Sequence, residues 1–146
     1  SDLVFLFPVK DIIHDFFTSE YSSSRLAALH AMGKFPQFWL EELSNFLDEH
    51  LPKTLLLEAI SSSYSSNSIQ LAKKIENLLS SKDPEILTYS LLTLTNINKT
   101  KHLGEILQKF TSSDHEQVRK TARDSLLKLS KMNFTNFMEK ELGIEE

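Results

Sequence analysis

Large apolar residues recur along the chain at helical spacing, and the pattern then repeats at a longer period. Taking Arg25, Leu56, Leu87 and Arg119 as equivalent positions gives intervals of 31, 31 and 32 residues. Three residues on stand Ala28, Ala59, Ser90 and Ala122, and six on stand Ala31, Ser62, Thr93 and Ser125. Both columns are small, as close approach between helices requires. Larger groups follow at Met32, Ser63, Leu94 and Leu126, then at Phe35, Ser66, Ile97 and Leu129, with the second unit the weakest copy. Upstream of each anchor lie Val9, Leu40, Leu71 and Leu103, and then Phe16, Leu47, Leu78 and Phe110. Each set follows the i, i+3, i+4, i+7 rule of an amphipathic helix.

Every unit therefore reads as two helices, A and B, joined by a turn. The spacing predicts A/B pairs at 8–18/22–34, 36–49/52–63, 67–81/84–97 and 100–112/115–131. A last helix over 133–142 carries Phe134, Phe137, Met138 and Leu142 on one stripe, as a cap on the final unit would. Pro8, Pro36, Pro52 and Pro84 fall where helices begin, a position that tolerates proline. Asp83-Pro84-Glu85 reads as an N-cap, an N1 proline and an early acid, and Asp114-His115-Glu116 as the same device one unit later. The serines of 22–24 and 61–68 fall at joints, where hydroxyls suit caps and turns.

With these columns in place, the chain resembles HEAT and HEAT-like repeats. Val118, Arg119, Ala122, Ser125, Leu126 and Leu129 match the B-helix pattern best, together with the Asp83-Pro84 turn. Arg25, Ala28, Ala31, Met32 and Phe35 keep it in the first unit, while Leu87 replaces the arginine in the third. The resemblance implies an all-α fold: a right-handed α-solenoid of about four helix pairs plus a C-terminal capping helix. The expected organisation is one domain over 1–146, with repeats at about 5–35, 36–66, 67–98 and 99–131 and the cap at 132–146. It also implies that the B helices line a concave face that binds other macromolecules, and that Arg25 and Arg119 brace neighbouring repeats through acidic partners.

The positions left over on the B helices are then candidate lining. They are Leu26, Leu57, Thr88 and Lys120; His30, Ser61, Leu92 and Asp124; and Lys34, Tyr64, Asn96 and Lys128. Apolar groups rimmed by polar ones favour a protein or peptide partner. The competing reading makes Leu26, Leu57 and Leu92 inter-helix packing residues.

Composition narrows the function classes. The 146 residues carry 16 basic and 20 acidic side chains, a balance of −4, which argues against nucleic acid as a partner. Residues 1–73 hold 5 basic and 9 acidic groups, and residues 74–146 hold 11 of each. The fourth B helix is locally basic through Arg119, Lys120, Arg123, Lys128 and Lys131. That patch suits an acidic segment, or simply complements a helix dipole. With no cysteine, disulfides and thiolate metal sites are excluded. The apolar run Leu3–Phe7 is too short to span a bilayer and lacks the features of a signal peptide, so a cytoplasmic protein without membrane insertion is expected. The same run, after a start at Ser1, fits either a cap on the first helix or packing on an upstream repeat of a longer protein.

Catalytic sets are weak. His115-Glu116 is a lone pair where HEAT-like di-iron hydroxylases need several, and Ser22-Ser23 and Pro84-Glu85 at equivalent positions carry no histidine. HEAT-like DNA glycosylases need a basic concave track, whereas Trp39 sits beside Phe38 and Phe46 as a core aromatic would. His14-Asp15 and Glu49-His50 lie on different units, and Gly33, Gly104 and Gly143 form no phosphate loop. The expectation is a non-enzymatic interaction or scaffold module with no cofactor, able to self-associate through its ends. The competing readings are a HEAT-like lyase or other small-molecule enzyme, and a structural segment of a longer solenoid.

Overall fold

The computed structural model describes residues 22–143. Among them are seven α-helices and no strand. They are α1 (Ser22–Met32), α2 (Leu40–Asn45), α3 (Lys53–Ser62), α4 (Ile69–Asn77), α5 (Pro84–Ile97), α6 (Leu103–Phe110) and α7 (Glu116–Leu142). Short 3₁₀ turns, Pro36–Phe38 and Leu78–Ser80, adjoin α2 and α4. The all-helical expectation is borne out, and the joints fall close to those predicted from the periodicity. The expected helix over 8–18 lies outside the described residues.

Contacts link alternate helices: α1 meets α3, α3 meets α5, and α5 meets α7. A second set joins α2 to α4, α4 to α5 and α6 to α7. One connected core runs from Ala28 through Leu56, Ile60, Leu91 and Leu94 to Leu129. The small columns explain how alternate helices come so close. Ala28, Ala59, Ser90 and Ala122 are all buried. In the next column Ser62 Oγ donates to the Leu29 carbonyl at 2.6 Å, and Thr93 Oγ1 donates to the Ile60 carbonyl at 3.4 Å. Ser125, their counterpart in α7, is buried without a partner for its hydroxyl. Gly33 belongs to the same contact, because a Cβ there would stand 3.0 Å from Ser62 Cα.

Three boundaries differ from expectation. The predicted helix 36–49 is interrupted: a 3₁₀ turn and Trp39 precede α2, and the chain leaves α2 through a turn in which Asp48 Oδ1 accepts from the His50 N–H. The fourth B helix, α7, starts at Glu116 with His115 at the cap position and no side-chain cap bond, so Asp114 does not play the part of Asp83. The separate capping helix 133–142 does not exist. Residues 116–142 form one 27-residue helix, about 40 Å long. Nothing between Glu116 and Leu142 stops a helix, and Gly143, at φ +66, supplies the left-handed residue that does. Phe134, Phe137 and Leu142 are exposed on it, so the stripe does not shield the last unit from water.

Arg25 and Arg119 also take other partners than expected. Arg25 lies 5.1 Å from the Phe46 ring centroid, and Arg119 donates to the Ser113 carbonyl at 2.8 Å. Trp39 and Phe46 are buried as predicted, whereas Phe38 reaches the surface.

The start of α5 is the best-defined cap. Asp83 Oδ1 accepts from the backbone N–H of Glu85 at 2.9 Å and of Ile86 at 3.5 Å. Its other oxygen lies 2.9 Å from Lys53 Nζ in the first turn of α3, and that ammonium also bonds Glu85 at 2.8 Å. The Lys53 hydrogen bond holds the Asp83 carboxyl below its ordinary value of 3.8, with the two backbone N–H groups adding to it against partial burial. Lys53 is held above 10.5 by Glu85 and then Asp83. A depressed carboxyl contributes stability that is complete above its unfolded value and is lost as pH falls through the folded one. The raised ammonium contributes stability complete below 10.5 and lost as pH rises through its folded value. Asp83→Ala should cost about 1 kcal/mol in urea melts. Asp83→Asn keeps a capping oxygen and should cost less. The wild-type advantage over Asp83→Asn should stay level from about pH 5 to 9 and shrink below about pH 4.

Candidate functional site

The structure brings three of the expected lining residues together across alternate helices. Tyr64 follows the end of α3, Asn96 lies in the last turn of α5, and Lys128 lies midway along α7. Lys128 Nζ donates to the Tyr64 hydroxyl at 3.0 Å and to Asn96 Oδ1 at 3.1 Å. Asn96 Nδ2 donates to the Tyr64 carbonyl at 2.9 Å. The ammonium also sits 5.4 Å from the Tyr64 ring centroid, within cation–π range. Tyr64 is separated from Lys128 by 64 residues in sequence, so the cluster ties the second and fourth units through the third.

The backbone makes this possible. Three hydroxyl-rich positions end α3: Ser63 back-bonds to the Ala59 carbonyl, Ser66 Oγ accepts from the Ser68 N–H, and Ser68 caps α4 by accepting from Leu71. That turn leaves the Tyr64 carbonyl facing Asn96. Two neighbouring bonds follow the same route. Gln37 Nε2 lies 3.4 Å from the Ser66 carbonyl, and Lys99 Nζ bonds the Asn67 carbonyl at 2.9 Å.

Towards α1 the pairing changes character. His30 Nδ1 lies 3.0 Å from Glu58 Oε1, joining α1 to α3. Beside them is an open depression of about 230 Å³ lined by His30, Gly33, Lys34, Glu58, Ser61 and Ser62. A histidine bound to a carboxylate through Nδ1 is half of a hydrolytic triad. Ser62, on the same wall, spends its hydroxyl proton on the Leu29 carbonyl instead. The pair serves as an inter-helix link.

The remaining expectations divide. Leu92 is 44% exposed and stands beside the cluster on α5. Lys120 and Asp124 are exposed and pair with each other along α7 at 3.5 Å. Leu26 and Leu57 are half-buried against the core, which is the packing role weighed for them. Thr88 is buried, so it does not line a surface. Its hydroxyl has no hydrogen-bond partner. Sequence periodicity missed Glu58 and the Lys53–Asp83–Glu85 group, although each links helices one unit apart. Searching for opposite charges about 31 residues apart finds the Lys53 group but not Glu58, which lies 28 residues from His30.

Among the described residues no group of three or more His, Asp or Glu side chains comes together to hold a metal ion. No described helix is long and apolar enough to cross a membrane. No known protein family, curated protein or solved structure matches the chain.

If the cluster couples the helices, Asn96→Ala should cost about 1 kcal/mol, since it breaks the bond to the Tyr64 carbonyl and the bond from Lys128, both exposed. Combined with Lys128→Ala, the two losses should be less than additive, because both single variants already remove the shared Lys128–Asn96 bond. Thermal unfolding of the four chains in that cycle gives the coupling directly.

Proposed function

We propose that this chain is a HEAT-like repeat module, a right-handed solenoid that binds a segment of a protein partner along its B-helix face and performs no chemistry of its own. Several hydrogen bonds and ion pairs favour the repeat reading. Ser62–Leu29, Thr93–Ile60, Asn96–Tyr64, Lys99–Asn67, Lys53–Glu85 and Lys128–Asn96 all join residues 32 or 33 positions apart. Equivalent positions of successive units are thus doing equivalent work.

The observation that carries the binding reading is the surface around Leu92. Exposed Leu92 lies one helical turn before Asn96, which bonds both Tyr64 and Lys128, on a face whose polar groups are already cross-linked. An apolar partner residue could cover Leu92 without stripping water from an unpaired polar group. An acidic neighbour in the same segment would meet Lys128, whose three donors are not exhausted by Tyr64 and Asn96. Lys120, exposed about two turns before Lys128 on α7, lies towards the same side. The preferred partner is an extended or helical peptide that combines an apolar anchor with acidic residues.

Peptide display against the 146-residue chain tests this. Selected sequences should pair an apolar residue with acids, and Leu92→Arg should weaken them roughly tenfold, equal to about 1.4 kcal/mol. Circular dichroism confirms that the variant is folded. Unchanged affinity for Leu92→Arg would remove the face assignment.

A further inference from the structure

The outer flank of α7 is apolar, open and ordered in an unusual way. Leu127, Phe134 and Phe137 are 64%, 62% and 55% exposed. They lie away from the buried side of the helix, which carries Val118, Thr121, Ala122, Ser125 and Leu129. At 3.6 residues per turn, Arg123, Leu126, Leu127, Ser130, Phe134, Phe137 and Glu141 share one strip about 100° wide. Its first half borders a depression of about 500 Å³ between α6 and α7, lined by Gln108, Thr111, Arg123, Leu126, Leu127 and Ser130.

Counted outward from Met132, the strip is its own complement. Two positions to either side stand Ser130 and Phe134, small against large. Five positions away stand Leu127 and Phe137. Nine positions away stand Arg123 and Glu141, opposite in charge. In an antiparallel helix pair related by a two-fold axis, each residue before the axis faces its counterpart after it on the other copy. A partner of unrelated sequence gives no reason for this order, whereas a second copy reads it backwards and matches it at all three pairs.

We infer that α7 is a dimerisation element, and that its occupant is the α7 of a second copy of this chain. The two helices run antiparallel about Met132 over a length of about 27 Å. Phe134 of each copy packs over Ser130 of the other, where a small side chain permits close approach. Phe137 enters the depression beside α6 and covers Leu126 and Leu127. Arg123 and Glu141 close both ends, so the ion pair forms twice. The inference stands on α7 alone and is independent of the groove described above.

Sedimentation velocity across a concentration series of the full chain tests it. The wild type should show a reversible monomer–dimer equilibrium, and Phe134→Asp should remain monomeric throughout. Arg123→Glu and Glu141→Arg should each weaken the dimer several-fold, because each sets like charges against one another twice. The double variant restores both pairs and should return to near wild-type affinity. All of these positions are exposed, so circular dichroism should show the fold unchanged. A wild type that stays monomeric across the series overturns the inference. So does a Phe134→Asp chain that still dimerises, or a double charge reversal that fails to restore.

Discussion

Ser62 reaches the Leu29 carbonyl at 2.6 Å and Thr93 reaches the Ile60 carbonyl at 3.4 Å, so alternate helices lie close enough for a short hydroxyl to bridge them. That closeness constrains everything else. It demands alanine or serine three residues past each anchor, and it leaves no room for a side chain at Gly33. It brings Leu56, Ile60, Leu91 and Leu94, all essentially inaccessible to water, into one continuous core. Fully burying each such side chain is worth about 1.5–3 kcal/mol. The two hydroxyl bonds contribute far less, about 1 kcal/mol each, yet they set the spacing at which the large side chains interlock. Ser125 shows the limit of the device. It keeps the small volume but its hydroxyl finds no partner, so the buried contact between α5 and α7 lacks the hydroxyl bridge of the other two.

The same closeness organises the surface. When helices stand one hydroxyl apart, side chains at the edge of the contact can span two of them and sometimes three. Lys128 does so, touching Tyr64 and Asn96 at once. Lys53 does it at the opposite end of the helices by joining the start of α3 to the cap of α5. The polar edges are therefore cross-linked before any partner arrives. Preorganised polar groups lower the entropic cost of ordering a binding face, and they leave Leu92 as its apolar feature. On the proposed reading, the structural polar contacts and the binding face share one packing distance.

How much of this was legible follows from what each residue had to satisfy. The joints of α3, α4 and α5 could be read because capping chemistry is local: Ser68 and Asp83 accept from N–H groups two or three residues on. Most core positions were legible because burial repeats with the period, but Phe35, which heads the last column, is exposed. Thr88 was misplaced because a threonine at a lining position looks the same in sequence whether its neighbour leans away or covers it. The cluster of Tyr64, Asn96 and Lys128 was foreseen as three separate lining positions and not as a bonded group. Its assembly depends on the turn after α3, whose course is set by backbone hydrogen bonds among serines. Arg25 and Arg119 were read through family resemblance, and the nearest acceptors here proved to be an aromatic ring and a carbonyl.

The extent of α7 follows from a different kind of rule. A stripe of apolar residues at 133–142 after a basic amphipathic helix suggests two helices, because a cap should turn back over the end of the core. Turning back requires a residue that breaks the backbone pattern, and none stands between Leu129 and Gly143. Lys131, Met132, Asn133 and Thr135 are all tolerated in a helix, so propagation continues at no nucleation cost. The outcome is a helix that outruns the core it packs on, with aromatic groups facing water. Exposure of that kind carries a free-energy cost that intramolecular packing leaves unrelieved, and an antiparallel partner helix is the arrangement that relieves it with the fewest new requirements. The missing stop signal therefore decides more than a helix boundary. It turns what would have been an intramolecular cap into a self-complementary surface.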